Sequence, residues 1–512
     1  MNEDWVECTL GEVFDTVTGN TPSKKEIDNY GSEVPFVKPP QINNGFLQPS
    51  TEFLSKKGKI KARVLPINSV LVTCIGNLGR IGINKTEVAF NQQINAIKPL
   101  SGIESKYTFY QAQSINFRNQ LEKLSTSTTV ALVNKTSFNS VKVKIAPLVE
   151  QKTIVKKIEE LFSSLDSGIA DFIKAQDQFV IYRQAVLKKA FEGELTKEWR
   201  ENQTNLPSAY KLLEQIKVER KKHYEKQISD WKEAVKLWEK KESRKKPSRI
   251  SKPKEFPKVK SEEVEKYDSI PKNWFWTRFG TITYKIGDID HKMPKTVEKG
   301  MPYVSTGNIG KDGKIDFNKA KQISRVDFDR LALKIKPEKG DIIFPRYGTI
   351  GRNILIDYDK EFLVSYSCAI IKNITKIMDE KFALYYSLSP VIKGEINRYV
   401  VETTQANIGI ASIESFVYPL CSKQEQLQIV QEIESRLSVC DKVEENIKES
   451  LQKAIALRQS ILKKAFDGTL LSAEEIEKCK QHIDYEPASV LLEKIRAEKL
   501  KNTTKTIKKA KS

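Results

Sequence analysis

The sequence predicts an α+β protein in which two mixed α/β domains alternate with two long helices that pair as a coiled coil. Three observations carry that prediction. The 512 residues exceed what one ordinary hydrophobic core organises. One segment occurs twice, without a gap, at an offset of 275 residues. Each copy of that segment carries an apolar seam of heptad spacing.

The repeat is sharpest where Leu187-Lys188-Lys189-Ala190-Phe191-Glu192-Gly193 recurs as Leu462-Lys463-Lys464-Ala465-Phe466-Asp467-Gly468. The same offset relates Glu150-Gln151 to Glu425-Gln426, Ile154 to Ile429, Ile158 to Ile433, Asp166 to Asp441, and Arg183-Gln184 to Arg458-Gln459. Weaker matches precede it. Trp5 corresponds to Trp274, Pro35-Phe36-Val37 to Pro302-Tyr303-Val304, and Gly76-Asn77-Leu78-Gly79-Arg80 to Gly348-Thr349-Ile350-Gly351-Arg352. Leu212-Leu213-Glu214 beyond the first helix matches Leu491-Leu492-Glu493 beyond the second. One plan is therefore used twice: variable domain, long helix, charged tail.

In order along the chain, residues 1–146 form the first domain. Short β-rich runs such as Ser69 to Ile75 alternate with Gly and Asn punctuation, and a helical stretch follows from Lys106 to Leu124. Residues 147–205 hold the first long helix. Its seam places Ile154, Ile158, Leu161, Leu165, Gly168, Phe172, Ala175, Phe179, Tyr182 and Val186 at alternating steps of four and three. At ~1.5 Å per residue such a helix is longer than a small domain is wide, and the other seam is its simplest partner. Residues 206–269 read as a solvated charged helix followed by an extended, Pro-punctuated linker. Residues 270–418 repeat the domain, with a strand at Asp341 to Phe344 and helix from Asp379 to Tyr399. Residues 419–472 repeat the helix, with Ile429, Ile433, Arg436, Cys440, Val443, Ile447, Ser450, Ala454, Leu457 and Ile461 on its seam. Residues 473–512 form a basic tail. Glycines at 193 and 468 mark the helix stops.

Charge points to a polyanionic partner: 86 Lys and Arg against 66 Asp and Glu, a formal net charge of +20. The reading is cytoplasmic, because no apolar run reaches membrane length and the first residues lack a signal pattern. The six cysteines are scattered without a C-x-x-C pair, and only three histidines occur, so no metal site is expected. His291, in the run Gly287-Asp288-Ile289-Asp290-His291, reads as part of a polar loop. Lys38-Pro39-Pro40-Gln41 lacks the acidic or amide first residue and the aromatic that an amino-methyltransferase loop needs, and no P-loop spacing occurs. No catalytic residue and no cofactor are expected.

The candidate DNA-contacting residues lie in the variable domains. The glycine loops let a backbone approach phosphate closely and each ends on an arginine, which nominates Asn77, Arg80, Arg346, Tyr347 and Arg352. The Ser/Thr-rich stretches nominate Thr128, Thr404 and Gln405 as hydrogen-bonding residues. Asn91 to Asn95 could present amides to adenine, but flanking apolar residues favour an interior role.

The double plan resembles the specificity subunit of type I restriction-modification systems. The likeness rests on Pro147-Leu148-Val149-Glu150-Gln151 opening a helix that ends Leu187 to Leu195, and on the equally close second copy. It implies that each variable domain reads one half of a split site in double-stranded DNA. It also implies that the two helices pack antiparallel and set the spacer, that two methyltransferase subunits dock on the body, and that motor-nuclease restriction subunits join for cleavage. The rival is a coiled-coil adaptor that binds protein alone, which a net charge of +20 disfavours.

Overall fold

A computed structural model describes residues 3–126, 130–241, 247–267, 269–310, 312–401 and 406–509. The chain divides into two compact units, residues 1–174 with 446–512 and residues 175–445. Each unit therefore takes its domain from one repeat and the end of its second helix, with the tail beyond it, from the other.

In the first unit, Val6–Thr9 pairs antiparallel with Lys142–Ile145, closing the domain where the chain enters and leaves it. The main sheet has Ile94–Ile97 between Thr16–Thr18 and Val70–Thr73, followed by Ile81–Ile83 and Gly45–Phe46. Val70–Thr73 is buried along its whole length, as its unbroken apolar run requires when both faces are covered. A second sheet pairs Phe36 with Ala89 and Val37 with Phe90 in parallel.

The second unit repeats this topology. Phe275–Arg278 pairs with Val417–Leu420. Cys368–Asn373 lies between Thr283–Gly287 and Ile342–Pro345, with Ile354–Leu355 beyond. Tyr303 and Val304 pair in parallel with Leu363 and Val364, at the positions matched by sequence to Phe36 and Val37. The protein is α+β, as the sequence predicts.

Two helical expectations are refined. The stretch from Lys106 to Leu124 is two helices, Ser105–Ala112 and Ile115–Lys123, because the Ser114 side chain caps the second. The stretch from Asp379 to Tyr399 breaks likewise into Glu380–Ser387 and Pro390–Tyr399, capped by Ser389 with proline in the first turn.

The long helices run Leu148–Phe191 and Lys423–Phe466. Both end in the same stop. Gly193 and Gly468 have φ near +77°, and the next residue's N–H returns to Lys189 and Lys464 respectively, at 2.9 Å in each case. Within the first unit Ile154, Ile158 and Phe162 bury against Ile461, Leu462 and Ala465, with Leu161 and Leu165 partly buried beside them. Within the second unit Val186, Leu187 and Ala190 share a core with Ile429, Val430 and Ile433. In each unit the start of one helix packs against the end of the other, so the seams pair antiparallel. On the second helix Ile433, Cys440, Ile447, Ala454 and Ile461, seven residues apart, are all buried. Phe172 and Phe179 are half-buried.

Two seam levels need correction. Arg436 is exposed, and Leu437 beside it packs partly buried against the second unit's core instead. Leu457 is exposed, and so is its counterpart Tyr182. A helix of 3.6 residues per turn drifts off a strict heptad, and the next residue turns inward instead. That residue is arginine in both copies. Arg183 pairs with Asp441 at 2.6 Å and with Glu444 at 3.1 Å, and Arg458 pairs with Asp166 while lying over the Phe162 ring. The repeated Asp and Arg thus interlock the two helices reciprocally.

The charged linker is a helix, Ala209–Lys241, and a strap. Ala209, Leu212 and Ile216 are buried in the second unit's core. The strap from 247 to 267 folds back: Trp231 donates to Pro247 O, Arg220 to Lys254 O, and Phe256 fills the space that a side chain at Gly280 would need. Arg278, itself buried, holds Glu263 through two contacts of 2.6 and 3.0 Å. In the first unit the tail folds as Ala473–Lys480 and Ala488–Lys509, and Ala488, Leu492 and Ile495 join the domain core.

Candidate DNA interface

A shared clamp fixes each domain to its long helix. Trp5 Nε1 donates to Glu150 at 2.7 Å, and Trp274 Nε1 donates to Glu425 at 2.8 Å. Both glutamates are buried. Glu425 also receives Arg200 at 2.6 Å, and Glu150 receives the Tyr485 hydroxyl at 3.1 Å. The following glutamines accept the N–H of Glu104 and of Asp379 and donate to the carbonyls of Ala146 and Cys421. Lys106 and Lys381 pair with Glu159 and Glu434, at 2.7 Å in both cases. The glutamate, glutamine and lysine pairs keep the offset of 275, so the gapless repeat reaches back to Glu104, whereas Trp5 and Trp274 lie 269 apart. Sequence comparison missed this extension because the surrounding apolar residues differ.

Each domain carries a glycine hairpin between two strands of its main sheet. Gly76 and Gly79 in the first, and Gly348 and Gly351 in the second, all have φ between +67° and +84°. A side chain there would be strained, which explains why glycine holds these positions. In the first hairpin, Thr73 Oγ1 donates to Asn77 O at 2.5 Å and accepts from Arg80 N at 3.0 Å. Asn77 and Arg80 are exposed. In the second, Arg352 is exposed and Tyr347 half-buried.

The predicted polar loops arrive at these hairpins. Ile75 bridges Leu132, and Gly76 N donates to Ala131 O. Tyr347 bridges Asn407, and Gly348 N approaches Ala406 O at 3.4 Å. The segments that lead into these bridges contain Thr128, Thr404 and Gln405. Those three residues lie outside the described part of the chain. The bridges bring Ala131 and Leu132 beside the first glycine loop and Ala406 and Asn407 beside the second.

Arg346 differs from the other nominated cations. It is buried, donates to Ile408 O at 2.8 Å and to Tyr366 O, and pairs with Asp288. Its guanidinium is committed inside the domain. The interior reading of Asn91 to Asn95 agrees with the structure: Asn91 and Asn95 are buried, and Asn95 Oδ1 accepts from Thr18 at 2.6 Å.

All six cysteines are free and buried. Among the described residues no helix is long and apolar enough to cross a membrane, and no cluster of three metal-ligating side chains occurs.

The chain carries one domain-and-helix plan twice. The chain belongs to the type I restriction modification DNA specificity domain family, which it matches twice, over residues 2–175 and 280–453. It is 24% identical to the type I restriction enzyme EcoKI specificity subunit of Escherichia coli strain K12, across 100% of this chain and 99% of that one. To the EcoBI specificity subunit of Escherichia coli it is 23% identical, across 98% and 93%. In fold it is similar to a chain of a solved structure concerning complex assembly and conformational transition of the type I R-M system. The TM-score is 0.59 at 16% identity, covering 91% of this chain and 98% of that one. Its function is DNA recognition within a type I restriction-modification system, and it is a non-catalytic component. The protein-only adaptor reading is set aside.

Proposed function

We propose that residues 1–146 and 270–418 are target-recognition domains that each read one half of a bipartite site in double-stranded DNA from their glycine-hairpin side. The observation that carries this reading is the recurrence of one hairpin-and-bridge arrangement in two domains whose sequences have otherwise diverged. Exposed Asn77 and Arg80 serve the first half-site. Arg352 and Tyr347 serve the second, and Thr128 in the first domain and Thr404 and Gln405 in the second are further hydrogen-bonding candidates. Arg346 holds the second hairpin in position. The helices of 147–205 and 419–472 set the separation of the half-sites, and two modification subunits dock on the pseudo-twofold body that they form. Restriction subunits complete the cytoplasmic complex.

The test uses the chain assembled with its modification subunits and duplexes in which either half-site is scrambled. Arg80→Ala should weaken binding to a duplex whose only intact half is the first and leave the second unaffected. Arg352→Ala should do the reverse. A loss equal across sequences with a shallower salt slope identifies a phosphate contact, and a relaxed preference at one base pair identifies a base contact. If both variants bind like the parent, the hairpins do not face DNA.

A further inference from the structure

The polar loop after Gly287 is not used by the hairpin reading, although it stands beside the second hairpin. His291 stacks on Tyr366 with ring centroids 5.0 Å apart, and Tyr366 packs edge-on against Tyr347 at 6.1 Å. Tyr347 belongs to the hairpin. The imidazole is thereby carried on an aromatic support that continues the candidate interface, while its own side chain is 65% exposed.

The loop is anchored from below. Asp288 is buried and binds Arg346 and Lys334, and Asp290 lies within 3.8 Å of both Lys334 and Arg330. His291 Nε2 faces Asp288 at 3.6 Å, which directs the other ring nitrogen away from this anchor. Lys292, Lys295 and Lys299 follow on exposed backbone, and none of them makes an ion pair among the described residues. Unpaired lysines following an outward imidazole suit a polyanion whose phosphates lie beside a readable edge.

We infer that His291 is a specificity-determining residue of the second domain, contacting one base edge while Lys292 and Lys295 hold the adjacent phosphates. This inference rests on the proposed hairpin-side reading and adds the residue that discriminates. An imidazole can accept from an exocyclic amine or donate to a purine acceptor, so it distinguishes base pairs in the major groove. The stack on Tyr366 removes the ring's freedom before binding, so little ordering is left to occur on the DNA.

The experiment compares the full assembled complex carrying His291→Phe or His291→Ala with its parent. Binding is measured on duplexes bearing each single base-pair change in the second half-site. His291→Phe keeps the stack and removes both nitrogens, so it decides the question if His291→Ala lowers the melting temperature. The expected result is a preference relaxed roughly tenfold at one base pair of the second half-site, with the first unchanged. Lys292→Ala and Lys295→Ala should weaken all duplexes alike and reduce the salt slope. An unchanged preference profile for His291→Phe, or a uniform weakening, overturns the inference. Exchanging residues 270–418 as a whole separates the two levels. If the exchange alters the second half-site and His291→Phe does not, only the role of His291 fails. If the exchange also leaves it unaltered, the domain reading fails.

Discussion

The foot of each domain and its rim behave differently under duplication. At the foot, Trp5 with Glu150 and Trp274 with Glu425 agree to within 0.1 Å, and the Lys106–Glu159 and Lys381–Glu434 pairs agree as closely. At the rim, the two hairpins share their glycines, the arginine after the second glycine and the bridge, but differ in what braces them. The first is braced by Thr73 and bears Arg80 outward, whereas the second is braced by a buried Arg346–Asp288 pair and bears Arg352 outward. The difference teaches that a buried charge fixing a domain to a helix tolerates little change, because a lost partner leaves an uncompensated carboxylate. An exposed loop carries no such penalty, so it can diverge and acquire a new target.

Breaking the helix seams should have the largest effect. Ile158→Asp and Ile433→Asp place a carboxylate where the side chain is fully buried and should cost about 3 kcal/mol or more, seen as a lowered melting temperature. Leu457→Asp, on the exposed face of the same helix, should change stability by about 0.5 kcal/mol or less. Equal losses at Ile433 and Leu457 would contradict the seam.

The clamp comes next. Glu425→Gln removes the charge that faces Arg200 and Trp274 and should cost about 2 kcal/mol in thermal or urea unfolding. A neutral result would mean that the foot's sameness has another cause.

The strap belongs to the second unit alone and gives a pH signature. Hydrogen bonding to Arg278 holds the Glu263 carboxyl below its ordinary value of 4.5. A depressed carboxyl contributes stability that is present above that ordinary value and lost as pH falls through the depressed one. Acid should therefore destabilise the parent more than Glu263→Gln below about pH 4.5, with no divergence near neutrality. Parallel pH curves would remove the strap from the ledger of acid sensitivity. The smallest effect is expected from Asp441→Asn, since an exposed ion pair contributes about 0.5 kcal/mol or less.

Much of this was legible in the sequence, for physical reasons. A helix seam repeats its apolar residues because burial acts every turn, so Ile154, Ile158, Ile429, Ile433 and Ile461 could be named without coordinates. Leu457 could not, because a heptad is only an approximation to 3.6 residues per turn, and the inward turn of Arg458 depends on Asp166 across the seam. The hairpin glycines were visible because positive φ demands them. Whether the arginines around them point out or in was not, because Arg346 turns inward only when Asp288, 58 positions earlier, is brought beneath it. The reciprocal use of the tails, with the stretch beyond each helix packing on the other repeat's domain, has no local signature at all.

The central claim is that each domain reads its half of the site independently. The direct measurement is the methylated motif produced by the assembled complex after residues 1–146 are replaced by the corresponding domain of a relative with a different target. The account predicts a motif in which one half changes while the other half and the gap between them stay as they were. A motif altered in both halves, or unaltered in either, would contradict it.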